Sequence, residues 1–185
     1  QADVYEYDVP LTGATMVFFK ASQSPLDDVK VRRALVQAVD ANQVIESLPY
    51  AAIPVRGPLL TGQLGFDKKI TQLSPNLKAA QQLLDEAGWK VADDGLRKKA
   101  GLPLTFRLHA QSTGEYAAVT KELQEAWRVL GVKVDVFLQE DTDIQNTVSR
   151  HDYDAVLYGI SIGTDPDVFA YWHSSQIKAG SGRLN

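Results

Sequence analysis

Residues 104–138 have the sequence LTFRLHAQSTGEYAAVTKELQEAWRVLGVKVDVFL, and this stretch decides the fold class. Its two ends, Leu104 to His109 and Val132 to Leu138, have the apolar pattern of strands. Between them, apolar residues from Tyr116 to Leu130 recur at helical spacing, and a glycine follows. A strand, a helix and a second strand in this order form a βαβ unit, whose crossover makes the two strands parallel. The stretch therefore predicts an α/β fold.

A second crossover follows directly along the chain. Asp141 to Arg150 has a helical pattern, and Ala155 to Ile160 is almost wholly apolar, which is typical of a strand buried on both faces. Upstream, Thr15 to Phe19 predicts one more strand, which opens the sheet. The sequence thus predicts a mainly parallel sheet flanked by helices.

Helix-start signals mark three further segments. Asp27 and Asp28 offer an N-cap for a first helix, and Asp40 begins a capping box for a second. Ser74, followed by a proline, predicts the N-cap of a third helix, which Gly88 ends. Residues 49–73 have no periodicity, and this predicts a long irregular loop.

Composition excludes several classes of protein. The 185 residues, 44% of them hydrophobic, are enough for a single globular domain. The net charge is -4 and the basic residues are scattered, which argues against nucleic acid as a partner. The absence of cysteine excludes disulfides and thiolate catalysis. We expect no cofactor, because no phosphate-binding glycine motif is present.

The candidate binding residues lie after the predicted strands, because open parallel sheets bind ligands beyond the carboxyl ends of their strands. The segment after the last strand is rich in small residues and precedes a helix expected to begin at Asp165, whose free N–H groups would suit an anionic or carbonyl group. The alternative is that Thr164 or Asp165 merely caps that helix. The candidates are His109, Gln139, Asp141, Ile160, Ser161, Ile162, Gly163, Thr164 and Asp165.

Three other patterns admit a chemical interpretation. His151, with two nearby aspartates, is compatible with a metal, but it precedes a strand, at the end opposite the expected pocket. A small serine hydrolase would use Ser161, a histidine and a carboxylate, yet no G-x-S-x-G elbow is present. Phe169 and Trp172 share one helical face, where they form either a ligand wall or core. We expect no metal site and no catalysis.

Several motifs together resemble a known family. The segment from Pro25 to Asp40 is similar to the pattern P-x-D-D-x-x-V-R-x-A-L-x-x-A-x-D of the family 5 extracellular solute-binding proteins, which serve ABC importers for dipeptides, oligopeptides and nickel. The resemblance continues in order to the end of the chain. Its further motifs lie at residues 51–60, 78–89, 94–103, 123–134, 153–155, 159, 165–167 and 173–174.

The resemblance implies a type II periplasmic-binding-protein-like lobe. Residues 1–185 would then be a single α/β lobe, a truncated piece of a larger two-lobe protein that closes around its solute. It also implies a monomer that binds peptides for an ABC permease in the periplasm or as a cell-surface lipoprotein, with membrane contact only through an anchor or the permease. A nickel chelate or an oligosaccharide is the alternative solute, and a protein-interaction module without a small-molecule cleft is a further alternative.

Two positions depart from the pattern of peptide-binding members. Those members commonly have an aspartate for the peptide amino terminus a few residues before the Asp-Pro pair, where this chain has Ile162 or Gly163. They often have tryptophan after a Gln-Glu pair, where this chain has Asp141. Peptide specificity is therefore implied by the family alone, and we expect Asp141 or Asp165 to supply the missing charge.

Overall fold

The computed structural model describes residues 13–161, 163 and 166–178. The amino-terminal half contains β1 and three helices, and the carboxyl-terminal half contains the remaining strands of the main sheet. The elements in chain order are β1 (Gly13–Phe19), α1 (Val29–Gln37), α2 (Ala41–Glu46), α3 (Leu77–Glu86), β2 (Lys90–Val91), β3 (Arg97–Lys99), β4 (Leu102–Pro103), β5 (Thr105–Gln111), α4 (Gly114–Val129), β6 (Lys133–Gln139), α5 (Asp141–Arg150), β7 (Ala155–Ser161), α6 (Phe169–Trp172) and a 3-10 helix, Ser174–Gln176.

The main sheet has the strand order β1-β7-β5-β6. β5 pairs in parallel with β6 over its full length, from Thr105 opposite Lys133 to Gln111 opposite Gln139. It also pairs in parallel with β7, with Ala110 opposite Leu157. The predicted βαβ unit and the second crossover are therefore confirmed. β1 pairs with β7 in the antiparallel direction, so the sheet is mainly parallel with one antiparallel edge strand.

Helices cover both faces of this sheet. On one face α1, α3 and α4 contribute to the main core, in which the Trp127 indole N–H donates to the Leu35 carbonyl at 3.0 Å. On the other face α5 packs Ile144 and Val148 against Val156 of β7. Side chains that point to opposite faces of a strand thus enter two separate cores, which explains why the sequence of β7 is almost wholly apolar.

A small antiparallel sheet, β2-β3-β4, connects α3 to β5. The turn around Gly95 joins β2 and β3 into an antiparallel hairpin. Arg97 of β3 is 3% exposed, and its guanidinium donates to Asp85 at 2.8 Å and to the carbonyls of Trp89 and Leu130 at 2.7 and 2.9 Å. These three bonds compensate for burial of the charge and hold the hairpin against the ends of α3 and α4.

Two of the predicted helix starts are confirmed and two are wrong. Asp28 and Asp40 are N-caps that accept from the second helical N–H group. The third helix begins at Leu77 with Asn76 as N-cap, not at Ser74, because the Asn76 N–H donates to the Gln37 carbonyl and keeps that residue extended. The last helix begins at Phe169 rather than Asp165 and has only four residues.

Candidate functional site

The carboxyl ends of β5, β6 and β7 lie at one edge of the main sheet. Gln111 and Gln139 are the last residues of β5 and β6 and lie opposite each other. β7 is in register with β5 at Leu157 and continues for four more residues, to Ser161. The strand ends therefore form one shared surface, as expected for a ligand-binding edge of a parallel sheet.

A cavity of about 210 Å³ opens at this edge. Its polar groups are one carboxylate, two phenols and two side-chain amides, and none of the described lining residues is a Lys, Arg or His. The lining residues are Gln111, Tyr116, Asp141, Ile144, Gln145, Leu157, Tyr158 and Gly159. The cavity therefore offers hydrogen-bond partners and a single negative charge, which suits a ligand that presents N–H groups or a cation.

Asp141 supplies the charge of the cavity. It is the first residue of α5, it is exposed, and its carboxylate accepts a hydrogen bond from the Gln111 side-chain amide of β5. It lies in the first turn of the helix, where a negatively charged side chain interacts favourably with the partial positive charge of the helix N-terminus. Asp141 was a predicted site residue, and the structure places it on the cavity.

Tyr116 forms another wall of the cavity. Burial raises the pKa of its hydroxyl, which also interacts with the Thr15 side chain and the Gly159 backbone. A Cβ atom at Gly159 would collide with that hydroxyl. The absence of a side chain at residue 159 thus lets the phenol of α4 lie directly on β7.

Four polar residues of this cavity are not among the predicted site residues: Gln111, Tyr116, Gln145 and Tyr158. The Gln145 amide donates to the Tyr158 hydroxyl at 2.7 Å, which links α5 to β7 beside the cavity. Gln111 lies in the segment after the first βαβ strand, so its position was a usable signal. Tyr116 fits the apolar face of α4 equally well, and nothing in the sequence separates its wall position from a core position.

His109 and Gln139 lie together on the α5 face of the sheet. His109 is 7% exposed, its ring stacks on Phe137 at 4.9 Å, and its Nδ1 lies 3.0 Å from the Gln139 side-chain oxygen. The Gln139 amide donates in turn to the Thr147 hydroxyl at 3.1 Å. These side chains connect two strands to α5 beneath the surface, and their predicted contact with ligand stays a prediction.

The segment after β7 contains the other predicted residues. Ile160 is 3% exposed and belongs to the core under α5, whereas Ser161 is exposed at the end of β7. The Gly163 carbonyl accepts a hydrogen bond from the Gln63 side chain at 2.9 Å. The predicted residues Ile162, Thr164 and Asp165 lie outside the described part of the chain.

The arrangement of Ser161 and His109 does not support a hydrolase. His109 lies opposite Val156, and Ser161 is five residues farther along β7, a separation of about 16 Å along an extended strand. Within the described ranges, neither residue hydrogen-bonds to the other, and His173 interacts with Ser175 instead. A serine–histidine pair must be within hydrogen-bond reach for nucleophilic catalysis.

The acidic residues near His151 serve the fold. Asp154 accepts from the Arg107 backbone N–H at 2.7 Å, and Asp152 pairs with the Arg107 guanidinium at 3.3 Å. His151 has a positive φ of 53° and ends α5. The described residues contain no cluster of three or more potential metal ligands.

The aromatic residues of α6 lie partly in the core and partly at the surface. Trp172 packs on Phe18 of β1 with ring centroids 5.9 Å apart, and Tyr171 joins the core under α5. Phe169 is half exposed and stacks on His173 at 4.5 Å. Phe169 and Trp172, the pair that the sequence left open, are therefore both exposed rather than core residues, and their role as a ligand wall stays a prediction.

Comparison of the sequence with protein families gives one match over residues 1–181, to the family described as "Bacterial extracellular solute-binding proteins, family 5 Middle". The oligopeptide-binding protein AppA of Bacillus subtilis is 32% identical over 162 residues, which are 83% of this chain and 30% of AppA. The chain thus spans about a third of the length of such relatives.

Solved structures agree with the sequence comparison. AppA of Bacillus subtilis in complex with a nonapeptide superposes with a TM-score of 0.83 at 27% identity, covering 96% of this chain and 37% of AppA. NikZ of Campylobacter jejuni in complex with Ni(L-His) superposes with a TM-score of 0.78 at 27% identity, covering 90% of this chain and 34% of NikZ. The predicted type II periplasmic-binding-protein-like lobe is confirmed.

Proposed function

The chain belongs to the bacterial extracellular solute-binding proteins of family 5, and we propose that it is one lobe of a peptide-binding protein that serves an ABC importer. The observation that carries this proposal is the shared strand-end surface with its cavity, half of a cleft that a second lobe would complete. The relatives named above are binding proteins, and the proposed role is binding and closure without catalysis.

Peptide is the solute that the cavity suits best. Its two amides and two phenols can exchange hydrogen bonds with main-chain groups, which every peptide carries regardless of sequence. The similarity to AppA, named as an oligopeptide-binding protein, points to the same class of solute. A nickel chelate is the second candidate, because NikZ superposes almost as well.

Asp141 is the group that we expect to bind the ammonium of the peptide amino terminus. It carries the single charge of the cavity, and a carboxylate forms strong, charge-assisted hydrogen bonds with an ammonium. It lies where many peptide-binding members have tryptophan, so this anchor would be a feature of this chain. Asp165 remains the alternative anchor.

The remaining parts of the proposal follow from the family. The protein would lie outside the cytoplasm, in the periplasm or as a lipoprotein on the cell surface, and would act as a monomer with permease subunits as partners. In the described part of the chain no helix has the length and apolar character needed to cross a membrane. No cofactor enters this function.

Calorimetry on the two-lobe protein that contains this chain tests the proposal. Peptides with a free amino terminus should bind, and Asp141→Ala should weaken their binding by at least about tenfold, since it removes a charged hydrogen-bond partner. Amino-terminally acetylated peptides should bind more weakly and should be insensitive to the substitution.

The matched control is Asp143→Ala, which removes the same charge from the same helical turn outside the cavity. It should leave peptide affinity unchanged. An unchanged affinity in Asp141→Ala, with a loss in Asp165→Ala, would move the anchor to Asp165. If no peptide binds and a nickel–histidine chelate does, the chelate is the solute.

A further inference from the structure

Gln63 is the single buried residue in an exposed stretch of the loop between α2 and α3. Its side chain is 7% exposed, whereas every other residue from Thr61 to Ile70 is exposed. Buried polar side chains in proteins are almost always held by hydrogen bonds. The position therefore identifies Gln63 as the point where this loop is attached to the rest of the molecule.

Both ends of the Gln63 amide have a partner. Its oxygen accepts from the Leu60 N–H at 2.7 Å, which stabilises the loop itself. Its nitrogen donates to the Gly163 carbonyl at 2.9 Å, which lies one hundred residues away in the sequence. One side chain thus joins the loop to the segment that follows β7.

The backbone turns around Gln63 direct its side chain toward Gly163. The Gln63 N–H donates to the Leu60 carbonyl at 3.1 Å, and the Phe66 N–H donates to the Gln63 carbonyl at 3.1 Å, so two turns meet at this residue. Gly62 and Gly65 on either side have φ angles of 93° and 82°, which other residues rarely adopt. Turns, glycines and burial together fix the direction of the Gln63 side chain.

From this arrangement we infer that Gln63 is a positioning residue for ligand binding, which holds the main chain at Gly163 in the place where the solute contacts it. The inference rests on the proposed function, because it assumes that the Gly163 main chain is part of the ligand surface. Gln63 itself need not touch the ligand. Its effect on affinity would pass through the Gly163 carbonyl.

Two substitutions separate the two hydrogen bonds. Gln63→Glu keeps an oxygen that accepts from the Leu60 N–H but, when ionised, has no proton to donate to the Gly163 carbonyl. Gln63→Met has a similar size and loses both bonds. At neutral pH both variants of the two-lobe protein should bind peptide at least about tenfold more weakly than the parent, because the Gly163 carbonyl loses the donor that holds it in place.

Peptide affinity measured at lower pH distinguishes a positioning role of Gln63 from a general loss of structure in the variants. A glutamic acid side chain has a pKa of about 4.3 in water, and burial raises that pKa. At about pH 5 a protonated Gln63→Glu side chain regains a donor, so its affinity relative to the parent should recover, whereas Gln63→Met should not recover. All affinities are measured where circular dichroism shows each variant to be folded.

The matched controls are Gln72→Glu and Gln72→Met, since Gln72 lies exposed in the same loop. Neither should change peptide affinity. Hydrogen exchange of the ligand-free protein, read at peptides covering residues 159–163, should be faster in both Gln63 variants and unchanged in the controls.

Each outcome has one meaning. If the parent binds peptide and Gln63→Glu binds equally well, or if exchange near Gly163 does not change, the inference about Gln63 is wrong. If Gln63→Met alone loses affinity, only the bond to Leu60 matters and the inference is again wrong. If the parent binds no peptide, the proposed function fails, and the exchange measurement alone decides whether Gln63 holds Gly163.

Discussion

At the scale of single residues, the contact between Tyr116 and Gly159 shapes the candidate site. The phenol of α4 lies on the β7 backbone only because Gly159 has no side chain. Tyr116 is half-buried and its hydroxyl interacts with both Thr15 and Gly159, so it cannot move aside without losing polar contacts. We therefore regard this pair as one wall of the cavity.

Gly159→Ala should lower the free energy of unfolding by about 1–3 kcal/mol, because the new methyl group collides with the Tyr116 hydroxyl. Tyr116→Phe removes the colliding oxygen, so the double variant should be more stable than the sum of the single changes predicts, by about 1 kcal/mol. Urea denaturation of the four proteins measures this coupling.

Gly114→Ala is the matched control for this cycle. A Cβ atom there meets no other atom within 4 Å, so the substitution should be neutral or slightly stabilising. Additive effects of Gly159→Ala and Tyr116→Phe would contradict the assigned contact.

At the scale of elements, the start of α3 shows how tertiary contacts move a helix boundary. Ser74 followed by proline predicts a cap, yet Asn76 is the residue whose side chain accepts from the Ala79 N–H, at 3.0 Å. The Asn76 N–H donates to Gln37 at the end of α1, and this contact between helices selects the cap. Local sequence patterns do not contain that information.

Asn76→Ala should therefore destabilise the protein by about 1 kcal/mol, the usual cost of losing an N-cap side chain. Ser74→Ala, the matched control, should change the free energy of unfolding by less than about 0.5 kcal/mol, since Ser74 is an exposed residue outside the helix. Both values come from urea denaturation. The reverse order of effects would show that the helix begins at Ser74.

Predictability from sequence differs between elements for physical reasons. The βαβ unit and α5 were predicted because their hydrophobic patterns are long and periodic. The length of α6 was not predicted, because a helix-start signal at Asp165 does not determine how many turns tertiary packing allows. The direction of β1 was not predicted either, since an edge strand has the same pattern in either orientation.

At the scale of the whole molecule, the parallel pairing of β5, β6 and β7 places sequence segments that are far apart in the chain on one surface. The sequence predicted that binding residues lie at this edge of the sheet, and Asp141, one of the predicted residues, lines the cavity there. It did not separate surface from buried positions at that edge, because the strand patterns do not show how far α5 covers this face of the sheet. His109 and Ile160 lie on the same face as Gln111 and Tyr158 but are buried beneath α5.

The proposed function requires that the carboxyl ends of β5, β6 and β7 form one wall of the ligand cleft. The most direct measurement is hydrogen exchange of the proposed two-lobe protein with and without the peptide that binds tightest in calorimetry. Protection on binding should concentrate at residues 111–116, 139–145 and 158–163. Protection confined to the opposite ends of these strands, near Thr105, Lys133 and Ala155, would contradict the account.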